Sequence, residues 1–206
     1  MTAPGAAPLA ALLAHPVIAH LARSLAARPG TQLALEEPMR RAAVALILRA
    51  EGTSLELLMI KRAVYEGDPW SGQVALPGGR REEGDATLEQ TAIRETREET
   101  AVDLAAHGRI LGRLDELLPA TPVLPRIAIA PYVAALAAAS ALVPSPEVDA
   151  AFWVPLDALR DPGAWTEVEL QVRGARRSFP AFLYNEYVIW GLTERILRQF
   201  LERLRE

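Results

Sequence analysis

The 206-residue sequence has no cysteine, little excess charge and no long apolar run. The absence of cysteine excludes disulfide bonds, thiol nucleophiles and thiolate metal sites, so any metal ligand must be oxygen or histidine. A formal net charge of −4 excludes a general attraction to nucleic acid or to an anionic membrane. No stretch offers the roughly 20 apolar residues that a membrane-spanning helix needs. Any recognition of phosphate must therefore be local.

The composition that remains is that of a globular protein. Half of the residues are hydrophobic and 23% are charged, and the length suits one principal domain. The N-terminus is rich in alanine and leucine, but no lysine or arginine precedes Arg23, and Pro16 interrupts the apolar run. This is not the pattern of a signal peptide, and we expect a cytoplasmic protein.

The distribution of apolar residues predicts a mixed α/β (α+β) fold. Residues 8–28 have the pattern of one or two amphipathic helices, and we expect residues 1–38 to form an extension before a main domain at 39–206. Strands are predicted at residues 43–48, 55–60, 73–76, 110–114, 127–135, 151–154, 167–172 and 178–183. Helices are predicted at residues 88–100 and 188–204. This alternation favours a mixed sheet packed between helices.

The predicted helix at 88–100 carries three glutamates in an unusual position. At 100° per residue, Leu88, Ala92, Ile93, Thr96 and Thr100 span about 0° to 140° and predict the buried stripe. The side chains close beside this stripe are Glu95, Glu98 and Glu99. Like charges three and four residues apart, at the negative end of a helix dipole, oppose helix formation.

A hard divalent cation would reverse that repulsion, because Mg²⁺ and Mn²⁺ prefer oxygen ligands. Arg94 stands four residues before Glu98 and can pair with it. A solvated charged face is the alternative for a glutamate-rich helix considered alone. The preceding Gly78-Gly79 favours a site, because glycine lets main-chain groups approach a phosphate or a metal closely.

Residues 79–102 (GRREEGDATLEQTAIRETREETAV) resemble the Nudix box, whose pattern is G-x5-E-x7-R-E-U-x-E-E-x-G-U with U aliphatic. The R-E-x-x-E-E centre is intact, while the segment from Gly79 to Arg94 is one residue longer than the pattern. Thr96 replaces an aliphatic residue, and Ala101 replaces glycine. If residue 101 needs a positive φ, alanine costs on the order of 1 kcal/mol. The resemblance implies an α/β/α sandwich.

The longer box is similar to that of the coenzyme A pyrophosphatase branch of the family. Residues 72–79 (GQVALPGG), 152–156 (FWVPL) and 189–191 (IWG) also resemble that branch. The likeness covers about residues 40 to 200. Residues 63–70 (AVYEGDPW) depart from it, because the branch usually has an extra basic residue there. That departure concerns the substrate more than the reaction.

The resemblance implies a role for each residue of the box. Glu95 and Glu99 are the expected principal ligands of Mg²⁺ or Mn²⁺, with Glu98 as a further ligand and a main-chain carbonyl of Gly78 or Gly79 as another. Arg94 is expected to orient the cluster. The general base is either Glu98 or the loop residue Glu147.

Several cations are candidates for binding the substrate. Lys61, Arg62 and Arg80 could each contact phosphate, although each alone is also typical of a surface charge. A second cluster in a predicted hairpin could receive a 3′-phosphate or be a solvated turn; it consists of Arg173, Arg176 and Arg177.

The leading hypothesis is therefore metal-dependent hydrolysis of coenzyme A to 4′-phosphopantetheine and adenosine 3′,5′-bisphosphate. A second hypothesis is a Nudix hydrolase for ADP-ribose or a dinucleoside polyphosphate. A third is a nucleotide-binding Nudix module without catalysis, and the intact glutamates count against it. The expected partner is a small nucleotide, without nucleic acid or membrane, and a homodimer is compatible with the sequence.

Overall fold

The computed structural model describes residues 9–34, 39–68, 70–120, 126–137, 141–172 and 174–206. Its helices are α1 (Leu9–Ala14), α2 (Pro16–Ala27), α3 (Leu88–Thr100), α4 (Leu104–His107), α5 (Leu156–Arg160) and α6 (Leu192–Arg205). Its strands are β1 (Arg40–Glu51), β2 (Ser54–Arg62), β3 (Val74–Ala75), β4 (Gly78–Arg80), β5 (Gly108–Arg113), β6 (Ile127–Leu136), β7 (Val148–Pro155), β8 (Trp165–Val172), β9 (Ala175–Tyr184) and β10 (Tyr187–Trp190).

Strand β1 is the centre of a mixed seven-stranded sheet. The main path of the sheet is β3-β2-β1-β6-β5, and β4 and β7 add to β1 and β2. β1 runs parallel to β6 and antiparallel to β2 and β4. A second sheet has the order β10-β9-β8 and is antiparallel. The predicted mixed sheet is confirmed.

The two faces of the large sheet are covered by different helices. Ala43, Ala45 and Ile47 of β1 belong to the cluster that packs with α3. Leu46 and Leu48 point the other way, into the larger cluster shared with α2 and α6. This alternation follows from the two-residue period of a strand. It gives the helix-sheet-helix layering that was predicted.

The N-terminal helices pack tightly on the rest of the molecule. Ile18, Leu21 and Leu25 of α2 are buried in the larger core cluster. After α2, the main-chain N–H of Gly30 donates to the carbonyl of Arg113 at 3.2 Å. The predicted break near Pro16 is present, since α1 ends at Ala14 and α2 begins at Pro16. The division at residue 38 stays a prediction, because residues 35–38 lie outside the described part.

One predicted helix boundary is wrong. The helix expected from residue 188 begins only at Leu192, and Tyr187–Trp190 form the strand β10, paired with β9. Val188 is exposed while Ile189 is buried, which is the alternation of a strand rather than of a helix. The ring of Tyr187 also stacks on Phe152, with centroids 4.2 Å apart. Pairing with β9 therefore decides the conformation of a segment whose local pattern is ambiguous.

None of the helices that the structure describes is long and apolar enough to cross a membrane.

Candidate active site

A cavity of about 610 Å³ opens between the large sheet, α3 and α6. It falls within the roughly 300–1,000 Å³ range of small-molecule sites. The acidic side of its wall is formed by Glu82, Glu95, Glu99 and Glu147. Its apolar side is formed by Ala42, Val44, Ile127, Ile129, Leu192 and Ile196. The cavity therefore sets oxygen ligands beside an apolar surface.

Helix α3 brings the box glutamates to this cavity, and both of its ends are set by local sequence. Thr87 caps its start, because the Thr87 hydroxyl accepts a hydrogen bond from the Gln90 N–H at 3.2 Å. Its end is marked by Ala101 with φ of 60°, the left-handed conformation expected for the position where the pattern has glycine. The alanine is strained there by about 1 kcal/mol.

Glu99 is the most deeply buried carboxylate of the cavity wall. The residue is 4% exposed, and its Oε2 accepts a hydrogen bond from the Gly78 N–H at 2.8 Å. Burial raises the pKa of Glu99 to about 8, against the hydrogen bond from Gly78, and the negative charges of Glu95 and Glu147 add to the rise. The inward position predicted from the helical wheel is confirmed. The positive charge of Arg62 acts to lower the pKa of Glu99, but the effect of burial is larger.

The two glycines before the box are required by their surroundings. Gly78 has φ of 149°, and a side chain there would collide with the carbonyl of Ala43. A side chain at Gly79 would collide with the carboxylate of Glu95. These glycines let β4 lie against both β1 and α3, which brings its main chain to the ends of Glu95 and Glu99.

Arg94 joins the carboxylates through an extensive hydrogen-bond network. Its Nε and Nη2 donate to the two oxygens of Asp85 at 3.0 and 2.9 Å, and Nη1 donates to Glu98 at 2.9 Å. Nη1 also lies 3.1 Å from an oxygen of Glu95. The predicted pairing of Arg94 with Glu98 is therefore present. The hydrogen bonds from Arg94 hold the pKa of Asp85 well below its usual range in spite of burial.

Asp85 itself is held by two further donors. The Thr91 hydroxyl donates to Asp85 at 2.9 Å, and the Glu82 N–H donates at 3.0 Å. Because both of its oxygens accept hydrogen bonds, the buried carboxylate of Asp85 fixes the orientation of the Arg94 guanidinium. Sequence reasoning did not identify Asp85.

The other predicted site residues fall into two groups. Arg62, Arg80 and Glu147 line the cavity. Glu98 and Lys61 are not part of its wall: the Glu98 side chain is 58% exposed, and Lys61 lies 3.5 Å from Asp149.

The predicted hairpin cluster is only partly described. Arg173 lies outside the described residues. Arg176 lies 3.6 Å from Glu169 on the neighbouring strand, and both side chains are largely exposed. Nothing in these contacts connects the hairpin to the cavity.

The carboxylates that line the cavity suit a hard divalent ion, because such ions prefer oxygen ligands. Among the described residues, no three histidine, aspartate or glutamate side chains stand close enough to hold an ion by themselves. Mg²⁺ is commonly held by one or two carboxylates, with water and substrate phosphate completing its shell. Glu95 and Glu99 fit that kind of site.

Comparison with known proteins agrees with this geometry. The family model described as the NUDIX domain matches residues 38–172. The chain belongs to the Nudix family. It is a pyrophosphohydrolase of nucleoside diphosphate derivatives, and Nudix hydrolases generally need a divalent metal ion.

Two relatives illustrate the extent of the similarity. The chain is 31% identical to the uncharacterized Nudix hydrolase NudL of Salmonella newport over 170 residues, which is 82% of this chain and 85% of the relative. It is 34% identical to an uncharacterized protein of Schizosaccharomyces pombe over 137 residues, which is 62% of this chain and 40% of that protein. The chain thus matches less than half of the length of the yeast relative.

Solved Nudix structures share the fold. A MutT/nudix family protein from Enterococcus faecalis superposes with a TM-score of 0.56 at 18% identity, over 85% of this chain and 66% of the other. A Caenorhabditis elegans Ap4A hydrolase superposes with a TM-score of 0.54 at 20% identity, over 81% of this chain and 98% of the other. At these identities the likeness concerns the fold alone.

The Nudix pattern contains the signal that could have identified Asp85. The pattern places an acidic residue six positions after the first glycine of the box, and six positions after Gly79 is Asp85. The extra residue of this box therefore lies between Asp85 and Arg94. Only the folded structure shows that Asp85 and Arg94 form an ion pair.

Proposed function

We propose that this Nudix hydrolase cleaves the diphosphate bond of coenzyme A with Mg²⁺ or Mn²⁺. Addition of water across the P–O–P linkage would release 4′-phosphopantetheine and adenosine 3′,5′-bisphosphate. The observation that carries this proposal is the apolar wall beside the cavity carboxylates. Coenzyme A bears a pantetheine arm with two methyl groups on one side of its diphosphate, and this arm can pack on such a wall.

Helix α6 contributes Leu192 and Ile196 to that apolar wall. Both residues lie beyond residues 38–172, which the family model matches. They stand apart from the catalytic box and are therefore suited to select the group attached to the diphosphate. The sequence likeness to the coenzyme A pyrophosphatase branch at residues 189–191, directly before α6, supports the same substrate.

The residues around the box would have different roles in the reaction. A bound divalent ion would neutralise charge on the diphosphate oxygens and activate water. Glu95 and Glu99 would hold the ion together with a main-chain oxygen of Gly78, and Glu98 would be a further ligand. Arg94 would keep these carboxylates in place, because it contacts Glu95 and Glu98 at once.

The remaining charged residues would provide the general base and bind the substrate phosphates. We propose Glu147 as the general base, because it lines the cavity on a loop separate from α3, with Glu98 as the alternative. Arg62 and Arg80 also line the cavity and would bind the substrate phosphates. Lys61 would reach the substrate only after leaving Asp149.

The decisive experiment is turnover of a nucleotide panel by the purified chain, with Mg²⁺ and with Mn²⁺. The panel contains coenzyme A, ADP-ribose and a dinucleoside polyphosphate, and mass spectrometry identifies the products. We expect coenzyme A to give the two named products with the highest kcat/KM. Preference for another substrate would refute the coenzyme A assignment and leave the diphosphate chemistry in place. Ligand binding without any product at high enzyme concentration would identify a non-catalytic module.

A pair of variants tests the metal assignment. Glu99→Gln keeps the size of a buried side chain but removes a charged oxygen ligand, and we expect turnover to fall at least about a hundredfold. Glu89→Gln is the matched control, because Glu89 is exposed in the first turn of the same helix. Near-normal turnover by Glu99→Gln would refute the role of this residue as a ligand.

A further inference from the structure

Arg62 occupies the point where two loops of the cavity meet. It is the last residue of β2, and its main-chain N–H donates to the carbonyl of Gln73 at 3.0 Å. The next residue, Ala63, donates its N–H to the carbonyl of Glu147 at 2.9 Å. Gln73 and Glu147 also line the cavity. The main chain therefore holds the base of the Arg62 side chain at a fixed place in the wall.

The end of the Arg62 side chain is held by Asp68. The Nη2 of Arg62 donates to Oδ2 of Asp68 at 2.8 Å, and the other oxygen of Asp68 accepts the Trp70 N–H at 3.0 Å. Burial acts to raise the pKa of Asp68, but the hydrogen bonds from Arg62 and Trp70 lower it below its usual value. Asp68 is thus a charged anchor with both oxygens engaged.

This anchor leaves most of the Arg62 donors unused. A guanidinium has five N–H donors, and within the described part of the chain only one of them has a protein acceptor. The Nε is buried without an acceptor, while the side chain as a whole is 29% exposed and lines the cavity. A restrained guanidinium with spare donors is well suited to bind a phosphate through two parallel hydrogen bonds.

The position of Arg62 indicates which phosphate it would meet. Arg62 lines the same cavity as Glu95 and Glu99. The loop of Glu147 connects the two sides, because the Ala63 N–H donates to the Glu147 carbonyl at 2.9 Å and the Ser145 N–H donates to the Glu99 carbonyl at 3.0 Å. An anion that contacts Arg62 in this cavity is therefore close to the box carboxylates, where a diphosphate under attack would bind.

We propose that Asp68 is a positioning residue that holds the Arg62 guanidinium against the cavity, where Arg62 binds the diphosphate under attack rather than a remote phosphate. The proposal rests on the proposed function only in taking a diphosphate as the substrate. It assigns a role to the loop after β2, which sequence reasoning left without one.

The test compares Arg62→Ala, Asp68→Ala and the double variant on coenzyme A and on dephospho-coenzyme A, which lacks the 3′-phosphate. Each single substitution should raise KM for both substrates about tenfold, with a smaller change in kcat. The ratio of the two KM values should stay that of the wild-type enzyme. The double variant should resemble Arg62→Ala, because Asp68 acts through Arg62. Asp68→Glu should recover part of the loss.

A matched control separates this role from a merely structural one. Glu56→Ala breaks the ion pair between Arg49 and Glu56, which has the same 2.8 Å length but lies outside the cavity wall. Its KM should be unchanged. A loss of thermal stability in Asp68→Ala with an unchanged KM would overturn the proposal. A lower KM would also overturn it, because Asp68 would then compete with the substrate for Arg62.

Two further outcomes distinguish the possible failures. A changed KM ratio between the two substrates would mean that Arg62 binds the 3′-phosphate, and this would overturn the proposal. Wild-type enzyme that hydrolyses neither substrate would refute the coenzyme A assignment alone. In that case calorimetric binding of ADP to the same variants becomes the readout, with about tenfold weaker binding expected for each single variant. Unchanged ADP affinity would overturn the proposal.

Discussion

The buried carboxylate of Glu99 should make the stability of the metal-free protein depend on pH. Burial raises the pKa of Glu99 to about 8 from its ordinary value of 4.5. Above that ordinary value the unfolded chain releases a proton that the folded protein keeps, so a rise in pH favours unfolding. The stabilising contribution of the protonated form is complete below the unfolded pKa and is lost as the pH passes the folded pKa. Between about pH 5 and about pH 8 the free energy of unfolding should fall by about 3 kcal/mol from this group.

The variant Glu99→Gln isolates that contribution. Glutamine cannot titrate, yet its side-chain oxygen can still accept the Gly78 N–H. Groups that do not interact with Glu99 titrate alike in both proteins and cancel in the comparison. Urea denaturation in the presence of EDTA, at about pH 5, 6, 7 and 8, gives the free energy of unfolding of each protein. We expect the variant to gain about 3 kcal/mol relative to wild type across this range. Parallel pH dependences would refute the reasoning, because they would mean that Glu99 is not buried as an acid.

Three other predictions follow from the site. Saturating Mn²⁺, at about a hundred times its Kd, should stabilise the wild-type protein by about 3 kcal/mol, and an unchanged Tm would contradict this. Gly78→Ala should destabilise by about 2 kcal/mol or more in thermal denaturation, because of the positive φ and the collision with Ala43; wild-type stability would contradict the backbone assignment. Asp85→Asn should lower the free energy of unfolding by about 3 kcal/mol at about pH 7. Since Arg94 depresses the pKa of Asp85, this difference should shrink as the pH falls below about 4, and a pH-independent difference would contradict the ion pair.

The parts of the fold that local sequence determines could be predicted. Helix α3 was predicted because its apolar period lies within the segment itself, and the cap at Thr87 that begins it is equally local. The inward position of Glu99 followed from the same period. The pair between Arg94 and Glu98 was predictable because residues four apart meet on one helix face.

The parts that depend on distant contacts could not be predicted in the same way. Strand β10 was predicted as helix because only pairing with β9 shows that Val188 and Ile189 alternate between exposed and buried faces. Asp68 and Asp85 lie in loops without a period, and their importance comes from the arginines that they meet in the folded chain. Charge and spacing also could not tell that Glu98 lies outside the cavity wall while Glu147 belongs to it.

The cavity joins Ala42 and Val44 on the first strand of the sheet to Leu192 and Ile196 on α6. During synthesis the ribosome makes the first strand early and α6 only after the whole catalytic box. A nascent chain can therefore fold its box and still lack one wall of the pocket. Competence to bind substrate should therefore follow the folding of the box, and should appear only when α6 has left the ribosomal exit tunnel and packed against α2 and the sheet.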